Sequence, residues 1–294
     1  MNEPTEILKK IRRLELRTRR LVASTFAGQY HSVFKGRGMN FEEVREYEPG
    51  DEIRSIDWNV TARMNEPFVK KFTEERELTV LLMVDVSASG NYGSIVQSKR
   101  ELSAEVAAIL AFSAINNNDK VGLLLFTDQV ELFIPPKKGR QHILRLIRDM
   151  LYFEPKGKGT DVAGALDYLN RILPRRSVVF LISDFLSADF SKPLTVAGKK
   201  HDLVALPVID PGEETLPNIG IISLEDSESG RQVEVNTASR ATRNAYAALQ
   251  ERKQGEMHKL FRSRRIDLVP LRTDEDYLVP LRAFFEQRER RKSA

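Results

Sequence analysis

At 294 residues with 41% hydrophobic side chains, the chain has enough apolar material for one large domain or two small ones without covalent staples. It has no cysteine, which excludes disulfides, thiolate metal sites and cysteine nucleophiles; His31, His142, His201 and His258 include no pair at metal-binding helical spacing, which argues against zinc. A formal charge of +4 remains after 46 basic and 42 acidic residues cancel, so the excess is local, in 9–20, 262–265 and 288–292, and nucleic-acid binding is not expected.

The N-terminus lacks a signal-peptide apolar core with a small-residue cleavage site. The longest apolar runs, Leu78 to Val84, Val121 to Phe126 and Val178 to Ile182, fall far below the roughly 20 residues that span a bilayer. A soluble, cytoplasmic chain without a transmembrane segment is expected. From Ile7 to Leu21, the positions Ile7, Ile11, Leu14 and Leu21 recur at helical spacing with Arg and Lys between them, which predicts a basic amphipathic helix. Glu6 and Glu15 dilute its charge and no large aromatic residue anchors its apolar face, so packing on the protein is favoured over a peripheral membrane contact. Between Ala23 and Glu77, Gly28, Gly36, Gly38, Pro49, Gly50 and Pro67 punctuate short extended pieces. Residues 1–77 are thus read as a small extension of one helix followed by strands and loops.

From Leu78 the pattern changes. Leu78 to Val84 predicts a buried strand, and Ile95 to Asn116 a helix with Leu102, Val106, Ile109, Leu110 and Ser113 on its core face. Val121 to Phe126 is a second strand, and Glu131 to Ile134 a short edge strand ending at Pro135-Pro136. His142 to Tyr152 and Val162 to Leu173 are helical, and Val178 to Ser183 and Asp202 to Val208 are strands. Within 211–237, Gly220 to Glu225 and Arg231 to Val235 flank Asp226-Ser227-Glu228-Ser229-Gly230, the pattern of an inserted β-hairpin. A long helix over Ala238 to Phe261, a terminal strand over Ile266 to Val269 and a closing helix over Asp274 to Arg291, capped near Thr273 or Asp274, complete the chain. Strands alternating with helices need helical crossovers between parallel neighbours. The expected class is α/β, a doubly wound, mostly parallel, Rossmann-type sheet over 78–294.

In such sheets ligands bind at the carboxyl ends of strands, near the switch in strand order. Asp85-Val86-Ser87-Ala88-Ser89 lies at the end of the first core strand, where alternate residues of a tight turn can converge on one point. It can offer three oxygens to a hard cation such as Mg²⁺, or simply form a polar turn. Thr160, in Gly157-Lys158-Gly159-Thr160-Asp161 before a helix, and Asp184, just beyond Val178 to Ser183, can reach the same edge. Asp161 is read as a helix N-cap and Asp128 as a turn residue near the rim. Gly157 and Gly159 are not followed by Gly-Lys-Ser/Thr, so a nucleotide loop is not expected.

Together, Asp85-x-Ser87-x-Ser89, Thr160 in its Gly-x-Gly-Thr-Asp context and Asp184 in Ile-Ser-Asp-Phe resemble the metal-ion-dependent adhesion site of von Willebrand factor A domains. The resemblance implies that Ser87 and Ser89 bind Mg²⁺ through their hydroxyls, Thr160 directly or through water, and Asp85 and Asp184 through bridging waters. An open position would then accept a carboxylate from a partner protein. Upstream, Gly36-Arg37-Gly38, Arg45-Glu46-Tyr47-Glu48-Pro49-Gly50-Asp51, Arg54-Ser55-Ile56-Asp57-Trp58 and Ala62-Arg63 resemble the signature of the bacterial domain of unknown function 58 family. That resemblance implies a chaperone-like partner or adaptor of a MoxR-type AAA+ ATPase or its client. Asp51, Arg54, Asp57 and Arg63 can form a charged network around Trp58, either a structural latch or a partner-facing surface.

The expected function is a non-enzymatic, Mg²⁺-dependent protein-interaction module. The alternative is a metal-dependent phosphoesterase or nuclease using Asp85 and Asp184. It lacks a second Asp at the Ser87 position and an evident His or Lys base beside the motif.

Overall fold

The computed structural model describes residues 16, 30, 33–34, 40–73, 77–93, 97–225 and 230–293. Apart from Leu16, the amphipathic helix expected over 7–21 lies outside them, as do Gly36-Arg37-Gly38, the expected helix start at Ile95 and the hairpin tip 226–229. Two compact units are present, one of Phe34–Leu78 and a larger one containing Thr79–Ala294 as well as Tyr30 and Val33. The sequence reading keeps residues 1–77 together.

In the smaller unit, β1 (Asn40–Glu46) pairs antiparallel with β2 (Phe68–Thr73), and the short helix α1 (Trp58–Met64) lies between them in the chain. Asp57 caps α1, its Oδ1 accepting the amides of Asn59 at 3.0 Å and Val60 at 3.3 Å, and its Oδ2 lies 3.4 Å from Lys70 Nζ. Arg45 holds Asp51 with two bonds of 2.9 and 2.7 Å. The charged network expected around Trp58 therefore resolves differently. Asp51 and Asp57 take Arg45 and Lys70, whereas Arg54 and Arg63 are exposed and join no ion pair among the described residues. Trp58 itself is 65% exposed.

The larger unit is built on β3 (Thr79–Asp85), β4 (Lys120–Phe126), β5 (Val130–Lys137), β6 (Val178–Ser183), β7 (Asp202–Ile209), β10 (Asp267–Leu268) and β11 (Leu271–Arg272). Their order is β10-β7-β6-β3-β4-β5, with β11 also beside β7. Every pairing is parallel except that of β5 with β4. This is the expected doubly wound, mostly parallel α/β sheet. Strands β3, β4 and β6 are buried along nearly their whole length, because helices cover both faces, and that burial is why they read as continuous apolar runs.

The crossovers are α2 (Lys99–Asn116), α3 (Arg140–Tyr152), α4 (Val162–Ile172) and α5 (Ser191–Lys200). Ser98 and Glu101 form a reciprocal capping box at 3.2 and 3.3 Å, so α2 starts at Lys99, later than expected. The chain pattern did not predict α5, where Pro193 and Gly198 obscure the periodicity. Pro193 lies in the first helical turn, where a missing amide costs nothing, and Leu194 and Ala197 still face the core. Strand β5 is longer than expected and runs through Pro135 and Pro136, which an edge strand tolerates. Gly122 makes this possible, since a Cβ there would sit 2.9 Å from Pro136 Cγ.

After β7 come a single helical turn, α6 (Pro211–Glu214), the expected hairpin β8 (Ile221–Glu225) and β9 (Gln232–Asn236), and α7 (Arg240–Ser263). The closing helix α8 (Leu278–Ser293) begins four residues later than expected from Asp274, with Asp276 Oδ1 accepting the Leu278 amide at 2.9 Å. Thr273 is buried instead and donates to Asp210 at 2.6 Å.

Candidate metal centre

Reading the sheet in chain order, β4 lies on one side of β3 and β6 on the other, so the strand order switches between β3 and β6. Asp85 ends β3, and Ser183 ends β6 with Asp184 next in the chain. Asp85 is buried, and both its oxygens are engaged: Oδ1 accepts the Ser87 amide at 2.9 Å and Oδ2 the Ser183 hydroxyl at 2.6 Å. Burial, and after it the nearby charge of Asp184, pushes the Asp85 carboxyl up to about 6, against the pull of those hydrogen bonds.

The Asp85–Ser87 bond bends the chain into a short 3-10 turn over Ala88–Asn91, and this brings the Ser87 and Ser89 hydroxyls within 3.0 Å of each other, both buried. Ala88 donates its amide to Lys158 O at 3.0 Å, which ties this turn to the loop that carries Thr160. Thr160 is half-buried, and its carbonyl accepts the Ser187 hydroxyl at 3.0 Å. Asp161 caps α4 as expected, its Oδ1 accepting the Gly164 amide at 2.9 Å.

Glu131 is a residue the sequence reading missed. Its Oε1 accepts the Gly157 amide at 2.7 Å, the Thr127 hydroxyl at 2.9 Å and the Lys156 amide at 3.0 Å, anchoring the loop that leads to Thr160. Burial would raise this carboxyl, but these donors outweigh it and hold it below its usual value. Gly157 fits against Thr127 and Asp128 only because it has no side chain, for a Cβ would collide with Asp128 Oδ1 and Thr127 Oγ1.

Lys99 is the second missed residue. It is 2% exposed, and its Nζ lies 2.6 Å from Asp184 Oδ2 and 2.6 Å from Glu213 Oε1. Burial would lower the ammonium's pKa, yet the two carboxylates outweigh it and hold it above the usual lysine value. A signal was present in the chain. Lys99 falls on the same helical stripe as Leu102 and Val106, so a charge was being placed where the core face calls for an apolar side chain. Glu213 was legible too, since Asp210-Pro211-Gly212-Glu213 is a capping-box pattern and forms one.

The structure therefore joins Asp85, Ser87 and Ser89 directly, ties the Thr160 loop to their turn, and couples Asp184 to Asp85 electrostatically. Asp184 is otherwise committed, with Oδ1 on the Leu186 amide at 3.1 Å and Oδ2 on Lys99. Among the described residues no three His, Cys, Asp or Glu side chains are grouped to hold a metal ion. Any ion at this edge would depend on hydroxyls. The Ser87–Ser89 separation suits that role, because adjacent corners of an octahedron with ~2.1 Å bonds are about 3.0 Å apart.

Residues 43–256 match the family described as protein of unknown function DUF58, and the chain belongs to that family. A Mycobacterium tuberculosis relative, uncharacterized protein Rv1480, is 32% identical over 285 residues, covering 95% of this chain and 89% of its own. The conserved hypothetical protein BatB from Bacteroides thetaiotaomicron is similar over 74% of this chain and 100% of its own, with 17% identity and a TM-score of 0.45. Proximal thread matrix protein 1 from the mussel byssus, solved with a zinc-occupied MIDAS motif, is similar over 46% of this chain and 38% of its own, with 15% identity and a TM-score of 0.38. No helix among the described residues is long and apolar enough to cross a membrane.

Proposed function

We propose that this protein is a non-enzymatic interaction module that holds a divalent cation, Mg²⁺, at the carboxyl ends of β3 and β6 and presents it to an acidic side chain of a protein partner. The observation that carries this reading is the buried Ser87–Ser89 hydroxyl pair, set 3.0 Å apart beside Asp85 at the switch in strand order. Ser87 and Ser89 would hold the ion through their hydroxyls, Thr160 directly or through water, and Asp85 and Asp184 through bridging waters. Bound among so few carboxylates, the ion would supply an electrophilic position for a partner's carboxylate.

The chain's own residues favour docking over turnover. Lys99, which reaches Asp184, is held protonated between two carboxylates and so is no base. Asp85, the candidate nucleophile, spends both oxygens on the Ser87 amide and the Ser183 hydroxyl. The partner we assign is a MoxR-type AAA+ ATPase or its client, in the cytoplasm, on the strength of the family resemblance. The test is capture of a purified MoxR-type ATPase by the full chain, in Mg²⁺ and in EDTA, with wild type and the Ser87→Ala/Ser89→Ala double variant. Capture lost in EDTA and in the double variant is expected; equal capture in Mg²⁺ and EDTA would overturn the reading.

A further inference from the structure

We infer that Lys99 is a built-in counter-cation that occupies the Asp184 side of the candidate metal centre and holds its affinity for divalent cations down. The inference rests on reading this edge of the sheet as a cation site. A buried ammonium persists only where opposite charge and hydrogen bonds compensate it. Lys99 finds that compensation in Asp184, beyond β6, and in Glu213, on α6, each at 2.6 Å. Two carboxylates from elements distant in sequence thus converge on one nitrogen, at the end of a side chain that is 3% exposed.

The consequence for a cation follows from charge. Asp184 is the acid that would reach the ion through water, yet its Oδ2 carries the ammonium and its Oδ1 the Leu186 amide. A divalent cation seated against Ser87 and Ser89 would face a fixed positive charge in a buried, weakly screened setting. Its binding requires either that Lys99 shift off Asp184 or that the two cations tolerate each other. In both cases removing the ammonium returns a carboxylate to the ion.

The experiment is Mg²⁺ binding by titration calorimetry and Mn²⁺ binding by electron paramagnetic resonance. It uses the full chain as wild type, Lys99→Met and Ser87→Ala/Ser89→Ala. Lys99→Met is expected to bind at least about tenfold more tightly than wild type, with binding lost in the serine double variant. Equal affinity of wild type and Lys99→Met, with binding still lost in the serine variant, overturns the role of Lys99 and leaves the cation site standing. No binding to folded wild type or folded Lys99→Met overturns the cation site, and this inference with it. If Lys99→Met does not fold, wild type with ¹⁵N-labelled lysine decides. A Lys99 ammonium resonance that moves with bound Mg²⁺ supports the inference, and one unmoved at saturation overturns it.

Discussion

The hydroxyl of Ser183, at the end of β6, donates to Oδ2 of Asp85, at the end of β3, across 2.6 Å. It joins two parallel strands at the point where the strand order switches, and it supplies one of the donors that let a buried carboxylate remain there. Ser183→Ala is expected to lower the unfolding free energy by ~1–3 kcal/mol, because the acid is left with an unsatisfied oxygen. Asp85→Asn in the same chain should recover part of that loss. A double-mutant cycle in urea measures this, and strictly additive effects would count against the bond.

Stability should fall as pH rises across the titration of Asp85. Burial and the Asp184 charge lift this carboxyl from 3.8 to about 6, so the folded protein keeps a proton that the unfolded chain has released. The favourable contribution is complete below about pH 4 and is lost as pH rises through about 6, a change on the order of 3 kcal/mol. Glu213, raised chiefly by burial, acts in the same direction. Asp85→Asn does not titrate, so the stability difference between it and wild type should change between about pH 4 and about pH 7 in urea unfolding. A constant difference would refute this account.

The loop before Thr160 depends on Glu131 and on the absence of a side chain at 157. Glu131→Ala removes the acceptor of four hydrogen bonds and should cost ~1–3 kcal/mol. Gly157→Ala forces Thr127 and Asp128 aside and should cost a similar ~1–3 kcal/mol. Both should also weaken Mn²⁺ binding, since each displaces Thr160 without touching Ser87 or Ser89. Thermal unfolding and metal titration of the two variants check this. Wild-type affinity in both would remove Thr160 from the site.

Trp58 should matter little to stability. It is the sole tryptophan and is 65% exposed at the start of α1, while Asp57, which caps that helix, makes its bonds through backbone amides. Trp58→Ala should change the unfolding free energy by no more than ~0.5 kcal/mol, whereas Asp57→Ala should destabilise the protein more than Trp58→Ala does, through the lost cap. Native Trp58 fluorescence should also be quenched by acrylamide nearly as readily as in urea. Strong native protection would show that something covers it.

The chain by itself determined the sheet and one corner of the candidate site. Leu78 to Val84, Val121 to Phe126 and Val178 to Ile182 are almost wholly apolar, as strands covered on both faces require, and the helices between them demand parallel pairing. Asp85, Ser87 and Ser89 were legible because five consecutive residues form their own turn, through a bond spanning two positions. Where local signals conflicted, the pattern failed: Pro193 hid α5, and Pro135-Pro136 shortened a strand that the edge position allows to continue.

Only the tertiary structure decided what surrounds that corner. Lys99 lies 85 residues from Asp184 and 114 from Glu213, and Glu131 reaches a loop 26 residues away. Periodicity reports which side of an element is buried, but it carries no record of which buried charges meet. That pairing is set by the strand order, which placed the ends of β3, β6 and β7 side by side and so put an ammonium next to the candidate cation site.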